Sequence, residues 1–263
     1  MNSEKPKVVG VEELEPGISV VIPFFNEAEA VGSLLDELRD RLEAAGRKVH
    51  EIVAVDDGSS DDTAGILRGR AGLDRRLRVV SFRSNRGQAA ALYEGLRLAR
   101  APILVTMDGD GQNDPADIPR LLELLAGADM VVGYRHPRND AWLRRAMSRL
   151  ANRVRSRILG DGVRDSGCAL KVLRREVVEA FIPIRTLYSF LPALASGAGF
   201  RVLEAPVRHR PRTTGTSSYG LRQFWWKPLL DLLGVWWFLR RRFPPIPLTV
   251  PPRDAAPTMP ARE

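Results

Sequence analysis

Short apolar runs alternate with helical segments over the first half of this 263-residue chain. Apolar runs of this length, bounded by turn residues, predict buried parallel strands, and 3.6-residue periodicity predicts the crossover helices between them. Strands are predicted at residues 18–25, 51–55, 77–82, 103–107 and 128–133, and helices at 29–45, after a cap at Ser59 or Ser60, at 87–99 and at 115–125. This alternation predicts an α/β domain with a mostly parallel, doubly wound sheet flanked by helices.

Acidic residues follow two of the predicted strands. Asp56 and Asp57 come directly after the strand at 51–55, and Asp108 and Asp110 follow the strand at 103–107. Open α/β sheets bind ligands at the carboxyl ends of their strands. Carboxylates that converge there repel one another unless a hard cation neutralises them, and Mg²⁺ or Mn²⁺ with a substrate diphosphate is the usual solution. The pattern predicts a metal-dependent enzyme that acts on a nucleotide.

The charge balance of the chain indicates an anionic partner. Forty Lys and Arg residues against 32 Asp and Glu residues give a net charge of +8. The excess is mostly arginine and is concentrated at residues 135–164, 208–212 and 240–242. Phosphates on a small molecule, a lipid surface and nucleic acid all fit this balance.

Cysteine usage and the N-terminal sequence indicate a reducing compartment. Cys168 is the one cysteine of the chain, so no internal disulfide can form, and its apolar context predicts a packed rather than a reactive thiol. The N-terminal residues contain no apolar run of signal-peptide length, so we do not expect secretion. We expect residues 1–16 to form a flexible tail and the proline-rich residues 244–263 to be disordered.

Two segments have the composition of membrane-surface helices. Trp142–Leu159 is predicted to be a basic amphipathic helix, which suits an anionic membrane, although a solvated charged face is the alternative. Leu221–Leu239 holds four of the five tryptophans and is followed by three arginines. Its longest charge-free run, Leu232–Leu239, is far short of the ~20 apolar residues that cross a bilayer. An interfacial helix is therefore predicted there, with a core or dimer-interface helix as the alternative.

Several motifs in order along the chain resemble those of family 2 glycosyltransferases. The motifs are PFFNE at Pro23–Glu27, VDDGS at Val55–Ser59, NRG at Asn85–Gly87, DGDGQ at Asp108–Gln112, DSGC at Asp165–Cys168 and RTTGTS at Arg212–Ser217. The last two are similar to elements of the polyprenyl-phosphate sugar transferases, the branch that includes dolichol-phosphate mannose synthase. Any one motif is weak evidence, but the ordered set over residues 18–220 is specific.

The resemblance implies an architecture, an activity and a location. It implies a GT-A-type catalytic domain at residues 17–220, followed by an amphipathic membrane-interface region at 221–243. The implied reaction is metal-dependent, inverting transfer of a sugar from a UDP- or GDP-sugar to polyprenyl phosphate. The enzyme is expected to be peripheral on the cytoplasmic face of the cell membrane, with a homo-oligomer or a separate membrane protein left open as partners.

The resemblance also assigns the donor side of the site. The residues expected to bind the nucleotide-sugar are Pro23, Asn26, Glu27, Asp57, Gly58, Asn85, Gly87 and Asp108. Asp108 and Asp110 are expected to hold Mg²⁺ or Mn²⁺ and to leave coordination positions open for phosphate oxygens and water. Asp57 is expected to accept a hydrogen bond from the base or ribose. Glu27 is expected near the ribose, although an acid at a helix N-terminus is also favoured by the helix dipole alone.

The acceptor side of the site rests on fewer residues. Asp110, Gln112 and Asp165 are the expected catalytic residues. Because a phosphate nucleophile is already ionised at neutral pH, Asp165 is expected to orient the acceptor rather than deprotonate it, and a turn aspartate is the alternative. The residues expected to bind the acceptor or diphosphate are Arg208, Arg212 and Ser217. The family usually has Lys after that serine, where this chain has Ser218, so the loop departs from the family pattern.

Three other functions compete with this interpretation. A non-processive glycosyltransferase with a saccharide or other cell-envelope acceptor keeps the same donor site, whereas processive synthesis is disfavoured because the chain has no QxxRW motif. A non-catalytic nucleotide-sugar binder conflicts with the intact acidic set. A nucleic-acid-binding protein is a remote alternative, since no recognition element accompanies the arginines.

Overall fold

The computed structural model describes residues 17–135, 142–211 and 227–243, which build a seven-stranded sheet. The strands are β1 (Ile18–Phe24), β2 (Val49–Asp56), β3 (Leu77–Ser81), β4 (Ile103–Thr106), β5 (Met130–Arg135), β6 (Lys171–Arg174) and β7 (Val202–Val207). Their order across the sheet is β3-β2-β1-β4-β6-β5-β7. β1 pairs in parallel with both β2 and β4, so the carboxyl ends of these three strands lie side by side.

One strand runs against the others. β6 is antiparallel to β4 on one side and to β5 on the other, while β5 pairs in parallel with β7. The predicted α/β class with a mostly parallel sheet is confirmed. β6 is an addition that the alternation did not predict, because its sequence, KVLR, has charged residues at both ends of a very short apolar run.

Helices cover both faces of the sheet. They are α1 (Ala28–Ala44), α2 (Thr63–Leu73), α3 (Gln88–Leu98), α4 (Ile118–Leu124), α5 (Trp142–Leu159), α6 (Leu187–Gly197) and α7 (Lys227–Arg241). Buried leucines of α1, α2 and α4 share one core with one face of the strands. Buried residues of α3, α6 and α7 share a second core with the opposite face. The sheet is thus doubly wound, as predicted.

The helix boundaries differ from prediction at two places. The residue before α2 is Asp62 and not Ser59 or Ser60, since both serines are used in loop contacts that precede the helix. The predicted helix at 115–125 begins as a 3₁₀ turn, Pro115–Asp117, capped by the Asp114 side chain, and only then becomes α4. α6 was not predicted, because Pro192 lies inside it and interrupts its helical pattern.

The proposed interface region is represented by α7. No helix among the described residues is long and apolar enough to cross a membrane. The predicted tails at 1–16 and 244–263 and the junction at residue 220 lie outside the described residues, so those domain boundaries remain predictions.

Candidate active site

The carboxyl ends of β1, β2 and β4 surround a cavity of about 480 Å³. Its lining residues are Pro23, Phe24, Phe25, Glu27, Asp57, Asn85, Gly87, Gln88, Asp108, Gly109, Asp110 and Gln112. All of them except Gln88 come from four of the sequence motifs, which are up to about 90 residues apart in the chain and meet at this edge of the sheet. Parallel strands bring their following loops to one edge, so the position of the cavity follows from the topology.

Asp57 organises the wall formed by the loop before α3. Its carboxylate accepts from the Asn85 side chain (3.0 Å) and from the backbone N–H groups of Arg86 (2.6 Å) and Gly87 (2.8 Å). Burial raises the pKa of Asp57, and the two backbone donors partly oppose that shift. The predicted proximity of Asp57, Asn85 and Gly87 is therefore seen, and much of the acceptor capacity of Asp57 is directed at its own loop.

Gly58 allows the loops after β2 and β3 to touch. Its φ is +68°, and a Cβ atom there would lie 2.6 Å from the carbonyl carbon of Ser84. Neither the dihedral angle nor the space admits a side chain. Gly58 does not line the cavity, so its contribution to the site is to let Asp57 reach the loop at Asn85.

Asn26 joins the loop after β1 to the loop after β2. Its side-chain oxygen accepts from the Ser60 backbone N–H (2.8 Å), and its own N–H donates to the Ser59 hydroxyl (3.0 Å). Asn26 is exposed, has a φ of +55° and is not among the residues that line the cavity. The structure thus places this predicted nucleotide-binding residue in a loop contact, whereas Pro23 and Glu27 from the same motif do line the cavity.

Asp108 and Asp110 face the cavity from the loop after β4. The Gln88 side chain donates to Asp108 (2.6 Å), and Asp110 accepts from the backbone N–H of Gln112 (3.0 Å). Burial and the nearby charge of Asp110 raise the pKa of Asp108 to about 6, although Lys171 opposes the shift. This loop therefore concentrates negative charge where two carboxylates repel each other.

A divalent cation suits this pair of carboxylates. Asp108 and Asp110 line the same cavity, and a cation between them would remove their mutual repulsion, which adds to the effect of burial in raising the pKa of Asp108. In the part of the chain that the structure describes, no group of three or more His, Cys, Asp or Glu side chains is placed to share a metal ion. Asp108 and Asp110 are the residues here that could hold such an ion.

Asp165 and Arg135 form a partly buried ion pair beside the site. Both guanidinium contacts to the Asp165 carboxylate are 2.8 Å long, and the Arg135 backbone N–H also donates to it (3.2 Å). The predicted acceptor-facing carboxylate is therefore committed to an arginine. Arg135 also lies close enough to Asp108 to affect the pKa of that carboxyl. Sequence reasoning missed this partner because 30 residues separate the two.

Lys171 is a second functional candidate that the sequence did not indicate. It lies on β6 with its side chain fully buried, and it lines a small cavity of about 80 Å³ together with Asp108 and Gln88. Its ammonium donates to the backbone carbonyl of Cys168, and burial lowers its pKa. The Cys168 thiol is itself buried with a pKa raised to about 11, which agrees with the expectation of a packed cysteine.

Arg208, the described member of the two predicted phosphate-binding arginines, lies outside the lining of the donor cavity. Arg208 pairs with Asp114 (3.1 Å) and Asp117 (2.9 Å) and does not line the cavity. These contacts favour a role in the loop rather than on a phosphate. Arg212 and Ser217 lie outside the described residues, so their roles remain predictions.

Comparison with known proteins identifies the family. Residues 19–181 match the family described as "Glycosyl transferase family 2". The chain belongs to this family. Membership argues against the nucleic-acid alternative and agrees with the resemblance of the motifs.

Two curated relatives of this family 2 glycosyltransferase have names that state their substrates. This chain is 39% identical over 206 residues to an undecaprenyl-phosphate 4-deoxy-4-formamido-L-arabinose transferase of Edwardsiella ictaluri, a match that covers 78% of this chain and 63% of the relative. It is 37% identical over 243 residues to a dodecaprenyl-phosphate galacturonate synthase of Rhizobium johnstonii, with 89% and 70% covered. The first of these matches spans less than two thirds of the relative's length.

Solved structures share the fold. A mannosyltransferase of Pyrobaculum calidifontis in complex with GDP-mannose and Mn²⁺ superposes with a TM-score of 0.59 at 23% identity, covering 81% of this chain and 62% of that one. Glucosyl-3-phosphoglycerate synthase of Mycobacterium tuberculosis in complex with UDP gives a TM-score of 0.63 at 21% identity, covering 89% and 86%. These similarities confirm the expected GT-A-type α/β fold.

Proposed function

We propose that this family 2 glycosyltransferase transfers a sugar from a UDP- or GDP-sugar to polyprenyl phosphate. The observation that carries the proposal is the cavity in which the loops after β1, β2 and β4 bring Asp57, Asp108, Asp110 and Gln112 together. The names of the curated relatives support a polyprenyl-phosphate acceptor, and the GDP-mannose and UDP complexes of the structural neighbours support a nucleotide-sugar donor.

Asp108 and Asp110 are the proposed ligands of Mg²⁺ or Mn²⁺. When bound, the cation supplies positive charge to the diphosphate leaving group as negative charge develops on it. Gln88 holds the Asp108 carboxylate through its 2.6 Å hydrogen bond, and the Gln112 N–H holds that of Asp110. The chain thus fixes both carboxylates before substrate arrives, which limits reorganisation during the reaction.

The remaining residues of the cavity position the donor and the acceptor. Glu27 and the loop held by Asp57 both line the cavity, and their proposed role is to bind the base and ribose. Because the acceptor phosphate is ionised at neutral pH, no strong base is needed. The proposed role of Asp165 is to fix the Arg135 guanidinium, whose positive charge attracts that phosphate.

We further propose that α5 and α7 form the surface that meets the membrane. The two helices pack together, and apolar side chains are exposed on both. We define the apolar surface of α5 and α7 by the exposed Val154, Ile158, Leu229, Leu230, Leu233 and Trp237, with Phe243 just after α7. Arg153, Arg157, Arg240 and Arg241 are exposed on the same helices, and Arg240 stacks on Trp236 at 4.7 Å. Apolar residues with flanking arginines match an anionic bilayer surface, which is consistent with a peripheral enzyme on the cytoplasmic face.

Product analysis tests the proposed reaction. Purified protein is incubated with Mn²⁺ or Mg²⁺, undecaprenyl phosphate and a panel of radiolabelled UDP- and GDP-sugars, and the label is then partitioned between butanol and water. We expect one donor to give label that enters the organic phase and stays there after the free nucleotide-sugar has been washed out. Label that appears only in a water-soluble saccharide would support the alternative acceptor, and no transfer from any donor would overturn the proposal.

A further inference from the structure

A short segment after β7 is fastened to the loop that carries the proposed metal ligands. The Arg210 N–H donates to the Gln112 carbonyl (3.0 Å), and the Gln112 side chain donates back to the Arg210 carbonyl (3.4 Å). The neighbouring residues Asn113 and His209 pair as an isolated antiparallel bridge. The Asn113 side chain in turn accepts from the Asp108 N–H (3.0 Å). The segment at 208–210 therefore supports the whole loop from Asp108 to Asn113.

The Arg210 side chain anchors this segment to two other elements. Its guanidinium makes paired contacts with Glu37 of α1 (2.7 and 2.8 Å) and a further contact with Asp114 (2.9 Å). The hydrogen bond from Arg210 is the main cause that lowers the pKa of Glu37. Burial alone would raise the pKa of Asp114, but the Ala116 N–H and Arg210 reverse the shift. Both carboxylates therefore bind Arg210 in their ionised form.

The geometry of these ion pairs indicates that Arg210 holds the segment after β7 in position and does more than stabilise the fold. Glu37 and Arg210 are 173 residues apart, so the pair ties the segment after β7 to the first helix. Without Arg210, the charges of Glu37 and Asp114 would repel each other, because the Asp114 charge already acts to raise the pKa of Glu37. A bidentate arginine–carboxylate pair fixes both distance and orientation.

We propose that Arg210 is a positioning residue, which holds Gln112 and the loop after Asp108 in the donor site through its ion pairs with Glu37 and Asp114. The inference rests on the proposed function, since it concerns the geometry of the proposed donor and metal site. Arg210 does not line the cavity and so acts through Gln112 rather than on substrate.

A matched pair of variants separates positioning from stability. Arg210→Met removes the anchor, and Arg76→Met serves as the control, because Arg76 makes a similar set of ion pairs with Asp74 (2.9 Å) and with Glu43 of α1 (3.2 Å) far from the cavity. Binding of UDP and GDP is measured by calorimetry with MnCl₂, and turnover by the organic-phase assay. We expect Arg210→Met to lower Mn²⁺-dependent nucleotide affinity or kcat about 10- to 100-fold, as small misplacements in a site do, with Arg76→Met within about twofold of wild type.

Hydrogen exchange provides a readout that does not depend on activity. We expect Arg210→Met, but not Arg76→Met, to speed exchange of the amides at 110–117 at least about fivefold, since local opening governs exchange. If Arg210→Met does not fold, Glu37→Gln keeps the Asp114 contact and is expected to show the same pattern more weakly. If the folded variants exchange the amides at 110–117 at the wild-type rate, the inference is overturned, whether or not any donor is turned over. If the wild type transfers no sugar but Arg210→Met still speeds exchange in this loop, only the proposed function is overturned.

Discussion

The carboxylates of Asp57 and Asp108 follow β2 and β4, the two strands on either side of β1, and are held in different ways. Asp57 accepts three hydrogen bonds from the loop before α3, whereas Asp108 accepts from Gln88 and faces Asp110. Burial raises the pKa of both groups. The Asp57 carboxylate is therefore held within a loop. The Asp108 carboxylate has an unfavourable negative charge, which a cation would neutralise.

This difference predicts that Asp108→Asn stabilises the metal-free protein while abolishing turnover. The pKa of Asp108 is about 6 in the fold against an ordinary value of 3.8, so the folded state holds this proton more tightly than the unfolded chain. Ionisation therefore destabilises the fold progressively as pH rises from about 4 to 6, and the full effect of about 1–3 kcal/mol is present at pH 7.

Denaturant unfolding in EDTA at pH 4 and pH 7 measures the effect. We expect Asp108→Asn to exceed wild type in stability at pH 7 and to match it near pH 4, with the exposed Asp40→Asn unchanged at both. A variant that is less stable than wild type at pH 7 would mean that Asp108 supports the fold rather than straining it.

At the scale of elements, the turn between β2 and α2 packs directly against the loop after β3. Gly58 lies in that turn with a φ of +68° against the backbone of Ser84 and Asn85, and Gly69 lies within α2 with no atom near its missing side chain. The same substitution should therefore have opposite effects at the two glycines.

We expect Gly58→Ala to destabilise the protein by about 2 kcal/mol or more, because both the dihedral angle and the contact are unfavourable. Gly69→Ala should stabilise it by up to about 1 kcal/mol through helix propensity. Thermal unfolding of the two variants is the measurement. If Gly58→Ala were as stable as wild type, the close approach of the two loops would be wrong.

Elements also show what sequence patterns can and cannot predict. β1, β2 and β4 contain uninterrupted apolar runs with carboxylates shortly after them, so both the strands and their position at the site were predicted. β6 and α6 were not, because Lys171 and Arg174 bound a short strand and Pro192 interrupts a helix. The pairs Arg135–Asp165 and Arg210–Glu37 were also missed, because their members come together only through tertiary packing.

At the scale of the whole molecule, the apolar surface of α5 and α7 predicts lipid binding. Trp237→Glu should lower the affinity for vesicles of phosphatidylcholine with 30% phosphatidylglycerol by about tenfold or more, because burial of one large apolar side chain contributes roughly 1.5–3 kcal/mol. Leu73→Glu is the control, since Leu73 is also highly exposed but lies on α2.

Vesicle sedimentation gives the comparison directly. We expect wild type and Leu73→Glu to sediment with the anionic vesicles and to be released by salt, and Trp237→Glu to remain in the supernatant. Equal sedimentation of all three proteins would exclude α7 as the membrane-facing helix.

The assignment of the donor site depends on two carboxylates that share a cation at one edge of the sheet. Calorimetric titration of UDP and GDP in the presence and absence of MnCl₂, on wild type and on Asp110→Asn, tests it most directly. We expect wild type to bind at least one nucleotide at least about tenfold more tightly with Mn²⁺ than without, and Asp110→Asn to lose that gain. Nucleotide binding to wild type that is indifferent to Mn²⁺, or an Mn²⁺ effect of equal size in Asp110→Asn, would contradict the assignment.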